Sequence, residues 1–112
     1  MVFPADQVQE LKLLAPGLSS CEEGGFTYFL LPSFPLPVGC RPERTDLLFC
    51  PMPRDGYTSR LYYAEPVACR TALNWNGMVR MLERNWHAFS WRINQTDLRL
   101  AQVILTHLRA LQ

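Results

Sequence analysis

The chain has 112 residues, of which 48% are hydrophobic and 12% aromatic, and this fits one compact domain over residues 1–112. Eleven Lys and Arg residues against ten Asp and Glu residues leave a formal charge of +1, and the ten arginines are spread between Arg41 and Arg109 without a dense cluster. Nucleic-acid-binding proteins usually concentrate basic residues on one face, so nucleic acid is not an expected partner.

The first nine residues carry no long apolar run, so they predict neither a signal peptide nor a membrane span. We therefore expect a cytoplasmic protein with no membrane partner. Two disulfides are an alternative that would require export, whereas free thiols suit a reducing compartment. The four cysteines are widely spaced and form no Cys-x-x-Cys pair: Cys21, Cys40, Cys50 and Cys69.

The N-terminal half predicts one helix followed by a strand. Asp6 and Gln9 form a capping arrangement for a short helix that ends before Pro16 and Gly17. Residues 26–31 are aromatic and aliphatic, which is typical of a strand buried on both faces. The prolines at positions 32, 35 and 37 end this strand or confine its continuation to a sheet edge.

The middle of the chain predicts two more strands and then a long loop. Residues 47–50 and 60–63 are the strands, and residues 54–56 form a turn between them. Residues 67–91 show no clean period, although residues 78–82 allow a helical turn or two. We expect a long irregular connection here, and such loops are often functional.

The last segment predicts an amphipathic helix. Asn94 or Thr96 is its expected cap, Asp97 lies in its first turn, and His107 falls off the apolar stripe. The stripe comprises Leu100, Ala101, Ile104, Leu105, Leu108 and Leu111. The order of elements predicts an α+β fold, with helices packed against an antiparallel β-meander.

All three tryptophans fall within residues 75–91, directly before this helix. His87 and Ser90 lie in the same segment, and a histidine beside a serine can activate its hydroxyl if both face one cleft. The alternative is a histidine satisfied by backbone groups near the tryptophans. The segment comprises Trp75, Trp86 and Trp91 with Asn74, Asn76, His87 and Ser90.

Two cysteines differ in their expected roles. Cys50 lies within an apolar strand and is expected to be inert core, whereas Cys69 follows the third strand and is either exposed or core. No P-loop, dinucleotide fingerprint, metalloprotease helix or nucleophile elbow is present, so neither a cofactor nor a metal is expected.

The order of several weak motifs between about Gly25 and Leu111 resembles the ubiquitin-conjugating (E2) superfamily, and most closely its bacterial branch, prokaryotic E2 family E. One motif, the segment at residues 53–57, takes the place of the proline and tyrosine turn of E2 proteins. The motifs are residues 34–39 (a proline-rich segment), 45–49 (the next strand), 53–57, 61–63 with Glu65-Pro66, and 86–90 leading to Asp97-Leu98.

The resemblance implies a UBC-like fold with an N-terminal helix, a short β-meander, an irregular active-site loop and a C-terminal helix. It also implies a transferase that accepts an activated ubiquitin-like C-terminus and passes it to an amine. The expected partners are an E1-like activating enzyme, a ubiquitin-like modifier and a deconjugating peptidase.

The chain departs from the family at the site itself. It has no His-Pro-Asn motif, so the asparagine that supports the oxyanion in most E2 enzymes has no counterpart by sequence. No cysteine follows Arg70, where the E2 nucleophile is expected. Cys69 and Ser90 are therefore the candidate nucleophiles, with His87 as a candidate base, and the alternative is a non-catalytic E2-like module that binds the modifier or the E1.

Overall fold

The structure, a computed structural model, describes residues 3–70, 72–75, 77–95 and 97–112. Two helices and six strands are assigned in these residues, which confirms the α+β class. The elements are α1 (Ala5–Leu14), β1 (Ser19–Glu23), β2 (Phe26–Pro35), β3 (Arg44–Cys50), β4 (Arg60–Tyr63), β5 (Gly77–Met81), β6 (Arg84–Ala88) and α2 (Leu100–Arg109).

The six strands form one antiparallel sheet in the order β1-β2-β3-β4-β6-β5. The first four strands are a meander in chain order, joined by short connections. The closing hairpin β5–β6 adds to the sheet through β6, whose His87 pairs with Tyr63 of β4. The predicted strands at residues 26–31, 47–50 and 60–63 all belong to this meander.

One face of the sheet packs against both helices. Successive side chains of a strand point to opposite faces, so alternate residues such as Phe29 and Leu31 of β2 reach this core. The helices contribute Leu11 from α1 and Ile104 and Leu108 from α2. Burial of these apolar side chains is the main source of stability for this layer.

The other face buries a smaller cluster and is covered by a loop instead of a helix. Tyr28, Tyr62 and Trp86 are its largest members, each fully buried. The guanidinium of Arg54 lies over the rings of Tyr28 and Tyr62, with its carbon 5.7 and 5.8 Å from their centroids, and it donates to the Tyr28 hydroxyl. Met52 packs against the same cluster. The sheet is therefore buried on both faces, as predicted for residues 26–31.

Ion pairs join the two helices at their ends. The Arg99 guanidinium contacts Asp6 at 2.6 Å and Glu10 at 2.9 Å, and the Leu100 N–H donates to the side chain of Gln7. Asp6 was predicted to take part in a cap, but α1 begins after Pro4 with no side-chain cap bond. The carboxylate instead ties α1 to α2.

Strand β2 continues through its prolines by means of a bulge. The register with β3 shifts between Leu31 and Phe34, and Ser33 has a positive φ of 46°. Its N–H donates to the Asp46 carboxylate at 2.7 Å. Since β1 pairs only as far as Leu30, this stretch of β2 has one neighbour, which is where proline is tolerated in a sheet.

The irregular connection predicted for residues 67–91 is wrong in its second half. Strands β5 and β6 form a regular hairpin whose turn places Leu82 and Glu83 at φ values of 53° and 64°. The helical turn predicted for residues 78–82 is therefore also wrong. The Leu82 N–H donates to the Glu23 carboxylate, and Leu82 packs on the smaller cluster. These contacts hold the turn against β1.

Helix α2 begins later than predicted. Its cap is Arg99, whose backbone N–H donates to the Gln102 side chain at 2.8 Å, whereas Asn94 lies before the helix and Thr96 lies outside the described residues. Leu105 of the predicted stripe is exposed, and His107 is buried in its place. The described helices are each ten residues long, and neither is long and apolar enough to cross a membrane.

Candidate functional site

The three tryptophans do not form one cluster. Trp86 is fully buried in the smaller core, where its indole N–H donates to the Met81 carbonyl at 3.1 Å. Trp75 packs edge-on against Tyr63 and Phe89 in the larger core, with centroid distances of 5.1 and 4.9 Å. Trp91 is 38% exposed. Asn76 of the same segment lies outside the described residues.

Ser90 is exposed just beyond the end of β6. Its backbone N–H donates to the Asn74 carbonyl at 3.3 Å, which fixes the chain where it leaves the sheet. Its hydroxyl lies near that of Tyr57 and lowers the pKa of Tyr57. Ser90 therefore presents a hydroxyl at the surface, near the tight turn that carries Tyr57.

That turn is built by residues 54–57. Arg54 and Tyr57 exchange two backbone hydrogen bonds of 2.9 Å, and Asp55 and Gly56 both have positive φ. Asp-Gly is the pair that such a turn favours, because glycine adopts positive φ without steric cost. The turn predicted at residues 54–56 is confirmed, and it places Tyr57 beside Ser90.

Two arginines flank the ring of Tyr57. The guanidinium carbon of Arg60 lies 4.2 Å from the ring centroid, and that of Arg92 lies 5.0 Å from it. Arg92 also donates to the Gly56 carbonyl at 2.8 Å. The Ser90 hydroxyl and the guanidinium groups of Arg60 and Arg92 lower the pKa of Tyr57 below its usual value, although desolvation opposes them with an effect larger than that of either charge.

Arg60 is a buried cation. Only 7% of it is exposed, and its Nε has no hydrogen-bond partner. No carboxylate among the described residues forms an ion pair with it. The Nε2 of His107 lies 2.9 Å from the Ser59 hydroxyl, and burial together with the charge of Arg60 lowers the pKa of His107 to about 4.

Cys69 lies in different surroundings. It is half-buried against the larger core, close to Cys40, because Arg41 and Ala68 form an antiparallel bridge with backbone bonds of 2.7 and 2.8 Å. All four cysteines are free thiols. Burial, and then the proximity of Cys69, raise the pKa of Cys40. Arg70 follows Cys69, but its side chain lies against Gly39.

His87 lies in the middle of β6, half-buried, opposite Tyr63 of β4 and Met78 of β5. Its role as the base for Ser90 stays a prediction. The structure places Tyr57 near the Ser90 hydroxyl. Cys50 is fully buried, as predicted for inert core.

No protein-family model, no curated protein and no solved structure matches this chain.

The charged residues around Ser90 were missed by reasoning from the sequence. Tyr57 was noted only as part of a turn, Arg60 only as the first residue of a predicted strand, and Arg92 only as a residue that follows Ser90. The sequence held one signal for Arg60. It begins an otherwise apolar strand, and charged residues are seldom buried without a partner. The described residues hold no group of three or more His, Cys, Asp or Glu side chains that could bind a metal.

Proposed function

We propose that this chain is an E2-like protein with a UBC-like fold in a bacterial ubiquitin-like conjugation pathway. It accepts an activated ubiquitin-like C-terminus from an E1-like enzyme and transfers it to an amine in the cytoplasm. Its partners are the E1-like enzyme, the modifier and a deconjugating peptidase. The order of motifs over most of the chain supports this, as does a helix followed by a four-stranded meander.

The observation that carries the proposal is the position of the Ser90 hydroxyl. It is exposed and lies near the hydroxyl of Tyr57, whose pKa is lowered and whose ring contacts two guanidinium groups. A serine is a weak nucleophile unless an adjacent base takes its proton. The contact with Tyr57 supplies a candidate for that base.

The reaction at Ser90 follows from this geometry. The Ser90 oxygen attacks the carbonyl carbon of the thioester on the E1, and its proton passes to the Tyr57 oxygen as the Tyr57 hydroxyl gives up its own proton to the sulfur. The carbon–sulfur bond breaks, the thiol leaves with that proton, and an oxyester on Ser90 remains. An amine then attacks the oxyester, which forms an amide and regenerates the hydroxyl.

Cys69 is the alternative nucleophile. A thiol is intrinsically the better acyl acceptor, but Cys69 is half-buried in the larger core beside Cys40. The geometry favours Ser90, because the charges that would stabilise a developing anion lie there.

Incubation with an E1-like enzyme, its modifier and ATP tests the proposal through the adduct that forms. We expect an adduct that survives thiol and is cleaved by hydroxide, that is lost in Ser90→Ala and that persists in Cys69→Ala. Ser20→Ala is the matched control, since Ser20 is exposed on the distant strand β1. An adduct cleaved by thiol and lost in Cys69→Ala would move the nucleophile to Cys69, and no adduct with a competent E1 would end the catalytic proposal.

A non-catalytic binding module is the second candidate function. Trp91 is 38% exposed and lines an open cavity of about 410 Å³ together with Arg92 and Arg109, and tryptophan and arginine are the commonest anchors of protein interfaces. Capture of the E1 or the modifier that survives Ser90→Ala and Cys69→Ala but is lost in Trp91→Ala supports it. Leu13→Ala is the control, since Leu13 is exposed on α1.

A further inference from the structure

The charge of Arg60 is not balanced by the chain. The residue is 7% exposed, yet no described carboxylate pairs with it and its Nε donates to nothing. Removing a guanidinium from water costs free energy that a paired carboxylate normally offsets. The aromatic rings of Tyr57 and Tyr62, 4.2 and 5.6 Å from its guanidinium carbon, offset part of this cost.

A second cation lies beside it. Arg92 contacts the same Tyr57 ring at 5.0 Å, so two guanidinium groups share one aromatic ring. Arg60 is desolvated and Arg92 is exposed, and an anion that binds beside both is attracted by the two positive charges.

The neighbouring titratable groups in the described part of the chain do not balance these two cations. His107 has a pKa of about 4 and is neutral there. The carboxylate of Asp55 lies near this group but is engaged by Arg54 at 3.6 Å and by the Tyr62 hydroxyl at 3.5 Å. In the described part of the chain, the space around Tyr57 is therefore net positive.

We propose that Arg60, Arg92 and the hydroxyl groups of Tyr57 and Ser90 form a binding site for a carboxylate. The guanidinium fork matches the two oxygens of a carboxylate, and the unused Nε–H of Arg60 is one of the donors in such a fork. The carboxylate is the C-terminus of a peptide chain, an assignment that rests on the proposed function, in which the modifier's C-terminus reaches Ser90.

The same donors serve the proposed reaction. When the Ser90 oxygen attacks the thioester carbonyl, the carbonyl oxygen takes up negative charge, and cations already in place stabilise it without reorganisation. Arg60 and Arg92 then supply the support that the missing His-Pro-Asn asparagine would have given. Hydrolysis of the oxyester by water would release the free C-terminal carboxylate of the modifier, and this is the group that the site binds in the ground state.

Binding is measured on the intact chain without E1 or modifier. The protein is labelled with ¹⁵N, and acetylglycine is titrated at constant ionic strength while the side-chain Nε–H signal of Arg60 is followed by NMR. Acetylglycinamide, which has no carboxylate, is the matched ligand control. We expect a saturable shift with the acid and none with the amide.

Variants test which cations form the site. Arg92→Gln is expected to weaken the acid about tenfold or more, since a charged hydrogen-bond donor is lost. Arg80→Gln is the control, because Arg80 is exposed and its guanidinium donates to Asn85 and to the Glu83 carbonyl at the β5–β6 turn. Equal shifts with acid and amide, or equal weakening in both variants, would overturn the proposal.

Inorganic phosphate distinguishes the source of the anion. If phosphate saturates the site more tightly than acetylglycine, the peptide carboxylate is wrong and the site takes an inorganic oxyanion. This outcome is separable from that of the adduct experiment. Carboxylate binding without any adduct would refute acyl transfer but retain the binding site. An adduct without carboxylate binding would refute the binding site but retain acyl transfer.

Discussion

Cys69 and Ser90, the two candidate nucleophiles, lie in regions of opposite electrostatic character. Beside Cys69, the buried hydroxyl of Tyr63 has no hydrogen-bond partner, and desolvation followed by the nearby thiols raises its pKa. Beside Ser90, the pKa of Tyr57 is lowered. One region disfavours a negative charge and the other favours it, so the weaker nucleophile has the better surroundings for acyl transfer.

The largest effect is expected from removing the hydroxyl of Tyr57. Tyr57→Phe keeps the ring that Arg60 and Arg92 contact and deletes the hydroxyl that lies near Ser90. Loss of a general base lowers a rate by about 10²- to 10⁴-fold, so the rate of adduct formation should fall by this order. Single-turnover kinetics measure it. An unchanged rate in Tyr57→Phe would show that Tyr57 does not act as the base, so that the electrostatic difference between the two regions does not determine which nucleophile reacts.

Phe89 joins the two regions, because it packs against Tyr63 and Trp75 and precedes Ser90. The centroid distances are 5.7 and 4.9 Å. Phe89→Ala should lower the free energy of unfolding by about 3–5 kcal/mol, as for other buried aromatic truncations. Urea denaturation measures the change, and Phe89→Leu, which leaves a smaller void, should cost less. A loss below about 1 kcal/mol would mean that packing of Phe89 against Tyr63 and Trp75 contributes little to the stability of either region.

Acid should destabilise the region of Ser90 through His107. Its pKa is about 4 in the folded protein and 6.5 as a reference, so the unfolded chain binds the proton more tightly. The contribution of the neutral ring is complete above pH 6.5 and is lost as the pH falls towards 4, by about 3 kcal/mol. Denaturation curves across this range measure it. His107→Gln should remove this part of the pH dependence, and an identical slope in the variant would contradict the assignment.

The smallest expected effect concerns the charge felt by Tyr57. Removing one cation in Arg92→Gln should raise the pKa of Tyr57, because its phenolate loses a favourable neighbour. Ultraviolet titration of the phenolate, assigned by its absence in Tyr57→Phe, measures the shift. Arg44→Gln, an exposed arginine of β3, is the control. No difference between the two arginine variants would place Arg92 outside the group that acts on Tyr57.

The meander could be predicted from the sequence because its strands carry ordinary signals. Residues 26–31 and 60–63 are aromatic and aliphatic runs bounded by turn residues, and each became a strand. The hairpin β5–β6 could not, because its two-residue turn is Leu82-Glu83 at positive φ, where Asn-Gly or Asp-Gly is usual. Tertiary contacts hold that turn: the Leu82 N–H bonds to Glu23, a residue distant in sequence.

The site was only half predictable for a similar reason. Ser90 was identified because it lies in a recognisable segment, but its neighbours come from the turn and strand around Tyr57 and Arg60. Only the register of β4 beside β6 brings these residues together. Helical periodicity placed His107 off the apolar stripe of α2. In the structure His107 is buried, and its ring nitrogen is hydrogen-bonded to the Ser59 hydroxyl. Contacts of this kind depend on folding and have no local pattern.

Strand β5 ends the sheet, and its outer backbone groups face no further strand of the described sheet. Such an edge can pair with a second molecule and start aggregation. Arg80 lies within this strand, exposed, with its guanidinium held by Asn85 and by the Glu83 carbonyl. A fixed positive charge at this position makes stacking of identical edges unfavourable, because each added copy would bring a like charge against it.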